Sequence, residues 1–384
     1  SMPSKKTCKG NRQALLLTGG GARAAYQVGV LSAITRFMPR NHGIPFPIIC
    51  GTSAGAINAT AMACYASCFH LGVKKLEWVW KNLRTKNIYQ SDPWGAFGYL
   101  GNGILSSFQA DYSLKRAHSL LNNAPLRELL KEVFDFKRID DNILRNYLTA
   151  ISVTASSYTT GDSISFYQSA DTIHPWQRAK RKGYPCQINT EHLMASAAIP
   201  LVFPSIEING QYYGDGSIHQ LSPLSPPIHL GAEKILVIGV DQPHKPLYSL
   251  ENNPHPPASA TIAGHMLDSI FADTLQSDME RLERINESIA LMQSHGIASQ
   301  QELKHVDTMV INPSEDFNVI AAEHYNELPI SVRLLLRSVG ITNDSEASLI
   351  SYLLFENSFT KKLMKIGYQD GLANEEKLRS FLSL

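Results

Sequence analysis

Phe46-Pro47-Ile48-Ile49-Cys50-Gly51-Thr52-Ser53-Ala54-Gly55-Ala56-Ile57-Asn58-Ala59-Thr60-Ala61 changes character at Ser53. Up to Cys50 it is a short apolar strand; from Ala56 it is a run of small residues suited to a tightly packed helix. Between them Gly51, Thr52, Ser53, Ala54 and Gly55 must turn the chain sharply. Such a turn strains the serine backbone and is tolerable only where neighbours without side-chain bulk let strand and helix approach. The strain lifts the hydroxyl clear of the sheet. It also sets the serine at a helix N-terminus, where free N–H groups and the positive dipole end favour an anion. A Gly/Ser turn before an ordinary helix meets the same G-x-S-x-G pattern, so other residues have to decide between the two readings.

Upstream, Ala14, Leu15, Leu16 and Leu17 form an apolar strand that ends at Thr18. Gly19, Gly20 and Gly21 follow, then Ala22, Arg23 and Ala24, where a helix opens. Three glycines leave backbone N–H groups bare to an approaching negative charge. Dinucleotide phosphates also bind such loops, and Gly19, Gly21 and Ala24 fit the G-x-G-x-x-G/A spacing. That fingerprint requires an acid about 20 residues later for the ribose. The first acidic residue in the chain is Glu77, preceded only by Lys5, Lys6, Lys9, Arg12, Arg23, Arg36, Arg40, Lys74 and Lys75. The N-terminal segment is therefore tuned for anions, and a nucleotide site is a poor reading of it.

A nucleophilic serine needs a base, and Asp215 is the strongest candidate. Ser205–Ile208 alternate in character, Asn209-Gly210 is a preferred two-residue hairpin turn, and Gln211–Tyr213 return as the second strand, ending at Gly214-Asp215-Gly216-Ser217. An acid between glycines is ordinarily another turn. Its place at the end of an aromatic strand, with backbone room on both sides, is what a partner of Ser53 requires.

The loop Gly19 to Ala24, the elbow Gly51 to Gly55, the stretch Met194-Ala195-Ser196-Ala197-Ala198-Ile199-Pro200 and the pair Asp215-Gly216 stand in the order and approximate spacing of patatin-like phospholipases. Four motifs in order are far more specific than one, and the chain resembles that family over roughly residues 12–312. The resemblance implies a three-layer α/β fold, with a central, mostly parallel sheet flanked by helices. It places a catalytic domain at 12–312 and a helical C-terminal extension at 313–384 packed on it. It also implies Ser53 as nucleophile, Asp215 as base in a Ser-Asp dyad without histidine, and an oxyanion hole in the Gly19 to Gly21 backbone. The substrates implied are fatty acyl esters of glycerophospholipids and related lipids, with no cofactor and no metal. Ala24 and Ser217 depart from the usual glycine and glycine or alanine of the family; both are small. Two other readings stand beside this one. One is an α/β-hydrolase esterase with a Ser-His-Asp triad drawing on His219, His229, His244, His255 or His265; the other is a catalytically silent lipid-binding protein.

Composition fits an enzyme with a sizeable core: 384 residues, 43% hydrophobic, with a formal net charge of +1 that gives no global attraction to nucleic acid. Arg178, Lys180, Arg181 and Lys182 beside Trp176 form a local basic patch, either a solvated loop or a contact for anionic headgroups at a peripheral membrane or micelle surface. The apolar run after Arg12 is shorter than the roughly 7–15 residues of a signal core, and no run approaches the roughly 20 residues of a span. The five cysteines are odd in number and without paired spacing. These features make a reducing cytoplasm the default expectation, with non-classical export left open.

Further strands are predicted at Tyr147–Val153, Ser163–Gln168, Lys234–Val240 and Thr308–Ile311, and helices at Leu71–Leu83, Leu114–Leu121, Leu126–Phe134 and within Leu267–Met292. Trp94–Phe108, apolar and rich in glycine, is a lid, an acyl-chain wall or a loop folded on the core. Ser249–Ser259 is the best internal boundary, and apolar clusters beyond Pro329 predict short covering helices.

Overall fold

The computed structural model describes residues 12–91, 121–170, 173–200, 202–242, 274–297, 304–338 and 347–384. Its strands in chain order are β1 (Gln13–Leu17), β2 (Ile48–Thr52), β3 (Gln90–Ser91), β4 (Leu121–Asn122), β5 (Ala150–Ser157), β6 (Ser163–Ser169), β7 (Trp176–Arg178), β8 (Arg181–Pro185), β9 (Ile206–Ile208), β10 (Gln211–Asp215), β11 (Lys234–Ile238) and β12 (Asp307–Ile311). All but β3 and β4 belong to one ten-stranded sheet in the order β12-β11-β1-β2-β5-β6-β8-β7, with β10 pairing β5 and β9 pairing β10. The five strands β12, β11, β1, β2 and β5 are mutually parallel; β6 runs antiparallel to β5. The sheet is thus mostly parallel at its centre, with helices on its two faces and a helical C-terminal region.

β1 sits in the middle of the parallel strands, and all its residues are buried, which is why it reads as an unbroken apolar run rather than an alternating one. Successive side chains still go to opposite faces. Leu15 and Leu17 join a core with the helices Ala25–Thr35, Ala54–Cys64, Phe69–Asn82 and Asn357–Ala373. Ala14 and Leu16 join a second core with Ile235, Val237, and Leu275 and Leu282 of the helix Leu275–Ser294.

Several predicted boundaries move. The strand expected at Tyr147–Val153 is Ala150–Ser157: Asn146 turns the chain at φ 62°, and the strand runs on through Thr154, Ala155, Ser156 and Ser157, polar or small residues that carry no apolar signal yet are buried. The basic stretch around Arg178 is neither helix nor loop but the hairpin β7–β8. Leu121 is in strand β4, paired with β3, not at a helix end; the rest of Leu114–Leu121, like Trp94–Phe108, Ser249–Ser259 and the start of Leu267–Met292, lies outside the described residues. The Ile206–Asp215 hairpin forms as read, with Asn209 and Gly210 both at positive φ, 52° and 78°.

The helix Asn357–Ala373 lies directly along Ala25–Thr35. A Cβ on Gly29 would stand 2.0 Å from the Met364 carbonyl oxygen, and one on Gly367 would stand 2.1 Å from that of Tyr26, so the two backbones touch. Beside this seam the Tyr26 hydroxyl donates to Asp370 at 2.7 Å, and Asp370 also accepts from the amide and hydroxyl of Ser314. The C-terminal helices therefore share the core that the glycine-loop helix packs into. Helix propensity alone would make Gly367→Ala stabilising by about 1 kcal/mol. With backbone in the way, the substitution is expected instead to destabilise by about 1–3 kcal/mol in chemical denaturation; a gain in stability would show that the seam can open.

Candidate active site

β5 outlasts its partner β2. Along one edge of β5, β2 climbs in parallel to Thr52, opposite Thr154; from the other end β10 descends antiparallel to Asp215, opposite Ala155. The two strands meet head-on. The residue after Thr52 is Ser53, so the register alone brings the elbow serine and Asp215 to the same place on the sheet.

Ser53 has φ 58° and ψ −132°, a region that side-chain-bearing residues avoid. It caps the helix Ala54–Cys64 and is buried. The elbow closes because Gly55 has no side chain: a Cβ there would stand 2.4 Å from the Leu17 carbonyl oxygen. Sequence reasoning gave Ser196 no role of its own, yet its hydroxyl accepts from the Ser53 amide at 2.8 Å and donates to the Thr154 carbonyl at 2.5 Å. One hydroxyl thus pins the strained turn to β5. The motif Met194–Pro200 contains it, but nothing in the local sequence shows its partners, which lie just past the end of β2 and on β5.

The same stretch holds the acid. The Asp215 amide donates to the Ala198 carbonyl at 2.9 Å and the Gly216 amide to that of Ser196 at 3.2 Å. The Met194–Pro200 motif is therefore a brace shared by serine and aspartate. The Asp215 carboxylate is fully buried; its Oδ1 accepts from the Ser217 amide at 2.9 Å. Burial raises its pKa from 3.8 to about 6, opposed by that amide and by the nearby hydroxyls of Ser53 and Ser217. Oδ2 has no partner of full hydrogen-bond geometry, so the Ser53 hydroxyl approaches the carboxylate closely without completing a bond.

Gly19 lies against the serine, and Gly20, Gly21, Ala22, Arg23 and Ala24 carry the loop on into the helix Ala25–Thr35. A Cβ on Gly19 would lie 3.2 Å from the Ser53 Cβ and 2.8 Å from the Ser217 Oγ. Among the described residues the amides of Gly19 and Gly20 donate to no protein acceptor. The loop is held from below by buried amides: Gln27 donates to the carbonyls of Thr18 and Ile238, and Asn58 donates to Ala24 and Gln27 while accepting from the Trp80 indole at 2.9 Å.

Ser53 opens on an apolar cavity that encloses about 730 Å³, part of it continuous with solvent. Its walls include Ile57, Leu76, Leu126, Leu130, Phe203 and Phe355. The lining offers almost nothing polar beyond the serine end.

No histidine is hydrogen-bonded to Ser53 or Asp215 among the described residues. His219 donates its amide to Ser156, with its ring pKa lowered by burial, and His229 stacks on Trp176 at 4.7 Å; His244, His255 and His265 lie outside the described residues. In the basic patch, Lys182 pairs with Asp162 at 3.2 Å and Arg181 is partly covered, which leaves Arg178 and Lys180 exposed at the hairpin. No helix among the described residues is long and apolar enough to cross a membrane.

A strained serine at a strand-to-helix elbow, under a glycine loop and beside a buried aspartate on a mostly parallel sheet, defines an acyl-hydrolase type of architecture. The family model of patatin-like phospholipases matches residues 15–228, more than half of the chain, and the chain belongs to that family of lipid acyl hydrolases. Among solved structures, VipD from Legionella pneumophila is similar over 97% of this chain and 67% of its own, at 14% identity and a TM-score of 0.35. No protein with a curated description matches.

The raised pKa of Asp215 makes stability depend on pH. The folded state holds the proton more tightly than the unfolded chain, so its contribution is most favourable below about 4 and is lost as pH rises from about 4 to about 6. At about 1.4 kcal/mol per tenfold, the buried carboxylate costs on the order of 3 kcal/mol above that window. Asp215→Asn, which never ionises, is expected to be more stable than the wild type at pH 7 and nearly equal to it at pH 4, by denaturant unfolding at both pH values. A gap independent of pH would show that Asp215 is not buried as a charge.

Proposed function

We propose that this protein is a serine acyl hydrolase of the phospholipase A or lysophospholipase type, a carboxylic ester hydrolase that works through Ser53 and Asp215. The observation that carries the reading is the head-on meeting of β2 and β10, which brings a strained, buried serine and a buried carboxylate to one place on the sheet, with no cation paired to the carboxylate among the described residues. Asp215 takes the Ser53 proton as Oγ attacks the acyl carbonyl. The negative charge that develops on the carbonyl oxygen is received by the amides of the Gly19 to Gly21 loop at the N-terminal end of the elbow helix. Collapse expels the lipid alcohol, which takes a proton back from Asp215, and leaves an acyl-enzyme. Water, deprotonated by Asp215, then attacks the acyl carbon; the bond to Ser53 Oγ breaks, Oγ takes the proton back from Asp215, and the fatty acid leaves.

The fatty acyl chain fits the apolar cavity. A wall of it is the helix Phe69–Asn82, whose inner side contributes Leu76, Val79 and Trp80. The outer side of that helix exposes Leu71 and Trp78 beside Lys74, with Lys75 5.0 Å over the Trp78 ring. An aromatic and a leucine beside Lys74 on the far side of the acyl site's wall, with Lys75, which also lines the cavity, reaching to the Trp78 ring, suit an anionic lipid interface. This stripe is a better lipid contact than the Arg178–Lys182 hairpin, where Lys182 is paired with Asp162 and Arg181 is partly covered.

Ser53→Ala and Asp215→Asn are each expected to lower hydrolysis of a chromogenic medium-chain ester by at least about a thousandfold with the fold retained, and Ser53→Ala to abolish labelling by an organophosphonate. Wild-type kcat/KM is expected to rise with pH through about 6, where Asp215 becomes the free base. Near-normal turnover in either variant would sink the dyad. For the interface, Trp78→Ala combined with Lys74→Glu is expected to weaken sedimentation with phosphatidylglycerol vesicles by about tenfold, while hydrolysis of a monomeric ester stays within about twofold. Undiminished vesicle binding would remove this surface from the reading.

A further inference from the structure

Arg23 stands two residues after the last of the three glycines, yet its side chain is only 6% exposed and reaches into the C-terminal part of the chain. Its Nε donates to the Ser351 hydroxyl at 2.6 Å, Nη2 donates to the Asn318 side-chain oxygen, and Nη1 pairs with Asp241. The guanidinium carbon stands 4.4 Å from the centre of the Tyr352 ring. Ser351, Tyr352, Asn318 and Asp241 all lie beyond the residues that match the family model, which end at 228.

The backbone adds a second contact. Gly21 has φ 55°, and a Cβ there would stand 2.3 Å from the Tyr352 carbonyl oxygen, so the turn after the glycines is moulded against the end of the helix Ala347–Leu353. That segment is fixed from its other side as well. The Tyr89 hydroxyl donates to the Leu353 carbonyl at 2.6 Å, the Thr85 amide donates to Glu356, and Phe355 stacks on Trp80 at 6.0 Å while lining the acyl cavity.

We propose that Arg23 is a positioning residue, and that the segment Ser351–Phe355 is the template that holds the glycine loop in its anion-receiving shape. The inference rests on the reading of Gly19 to Gly21 as the oxyanion hole. Arg23 does not touch substrate. A planar fork with three acceptors and an aromatic face fixes the loop in direction as well as distance, which a lysine cannot do. Because Asp241 neutralises the cation, the effect on rate is one of geometry rather than added charge. The oxyanion site is therefore incomplete in the matched region alone, and the C-terminal helices supply its outer wall.

The test uses the full chain with Ser351→Ala, Tyr352→Leu, Tyr352→Phe and Arg23→Lys, measuring kcat and KM for a chromogenic ester, the rate of organophosphonate labelling at Ser53, and the unfolding midpoint. A misplaced catalytic group costs up to about a hundredfold. Ser351→Ala, Tyr352→Leu and Arg23→Lys are expected to lower kcat and the labelling rate together by about tenfold or more, with KM within about twofold, while Tyr352→Phe, which keeps the ring, restores most of the rate. Loss of kcat no larger than the loss of folded protein, a change in KM alone, or turnover within twofold of wild type in Ser351→Ala would overturn the proposal. If Tyr352→Leu fails to fold, Ser351→Ala, which removes a single hydroxyl, still decides. Full activity in Ser53→Ala or Asp215→Asn would show that the underlying site reading has failed; inactive dyad variants beside unaffected clamp variants would show that only this inference has.

Discussion

The site depends on one strand being longer than its neighbour. β5 pairs with β2 over Ala150 to Thr154 and then, past the end of β2, has free edge left from Ala155 to Ser157, which β10 takes. Two hydrogen-bonded registers therefore fix the serine and the aspartate, although 161 residues separate 53 from 215 in the chain. Ladder hydrogen bonds tolerate no slip without turning every side chain to the other face. The distance between the two groups is thus set by sheet geometry rather than by loops, and Ser196, bonded to both the Ser53 amide and the Thr154 carbonyl, locks the junction.

That junction holds two unfavourable features side by side: a serine at φ 58° and a carboxylate buried with one oxygen unsatisfied. Strained backbone of this kind costs on the order of 1–3 kcal/mol and persists only where the surroundings over-determine it. Here the surroundings are the covered parallel sheet and the backbone-to-backbone seam between Ala25–Thr35 and Asn357–Ala373. The destabilisation has a chemical use. In the proposed dyad this counts in its favour: a carboxylate in water is a weak base for a hydroxyl, and the same desolvation that raises the Asp215 pKa makes it a better one.

How far this was legible from sequence depended on whether a signal was local. The elbow, the glycine loop and the Asn209-Gly210 hairpin each announce themselves within a few residues, because glycine and the Asn-Gly pair have backbone conformations that few other residues share. The end of β5 was not legible: Thr154 to Ser157 are small or polar and buried, so their strand nature comes from the neighbours that pair with them and not from periodicity. Ser196 and Arg23 were hidden for a related reason. Each is named by its motif, but its work is done on residues far along the chain, Thr154 for one and Ser351 for the other. The hairpin β7–β8 was masked by its charges, which dominate the composition of a short edge strand.

The glycine loop is consequently held on two sides by different chemistry. From within the matched region, Gln27 and Asn58 grip its flanks through buried amide hydrogen bonds, which have little directional freedom once packed. From beyond it, Ser351, Asn318 and Asp241 hold Arg23. Three bare glycines have the greatest conformational entropy to lose of any such loop, so amides that must point at a transient charge need restraint supplied from outside the loop itself. A clamp at one end alone would leave the other free to rotate its peptide planes. Clamped at both, the amides of the proposed oxyanion hole are oriented before substrate arrives, and such preorganisation lets backbone dipoles stabilise an oxyanion better than water does.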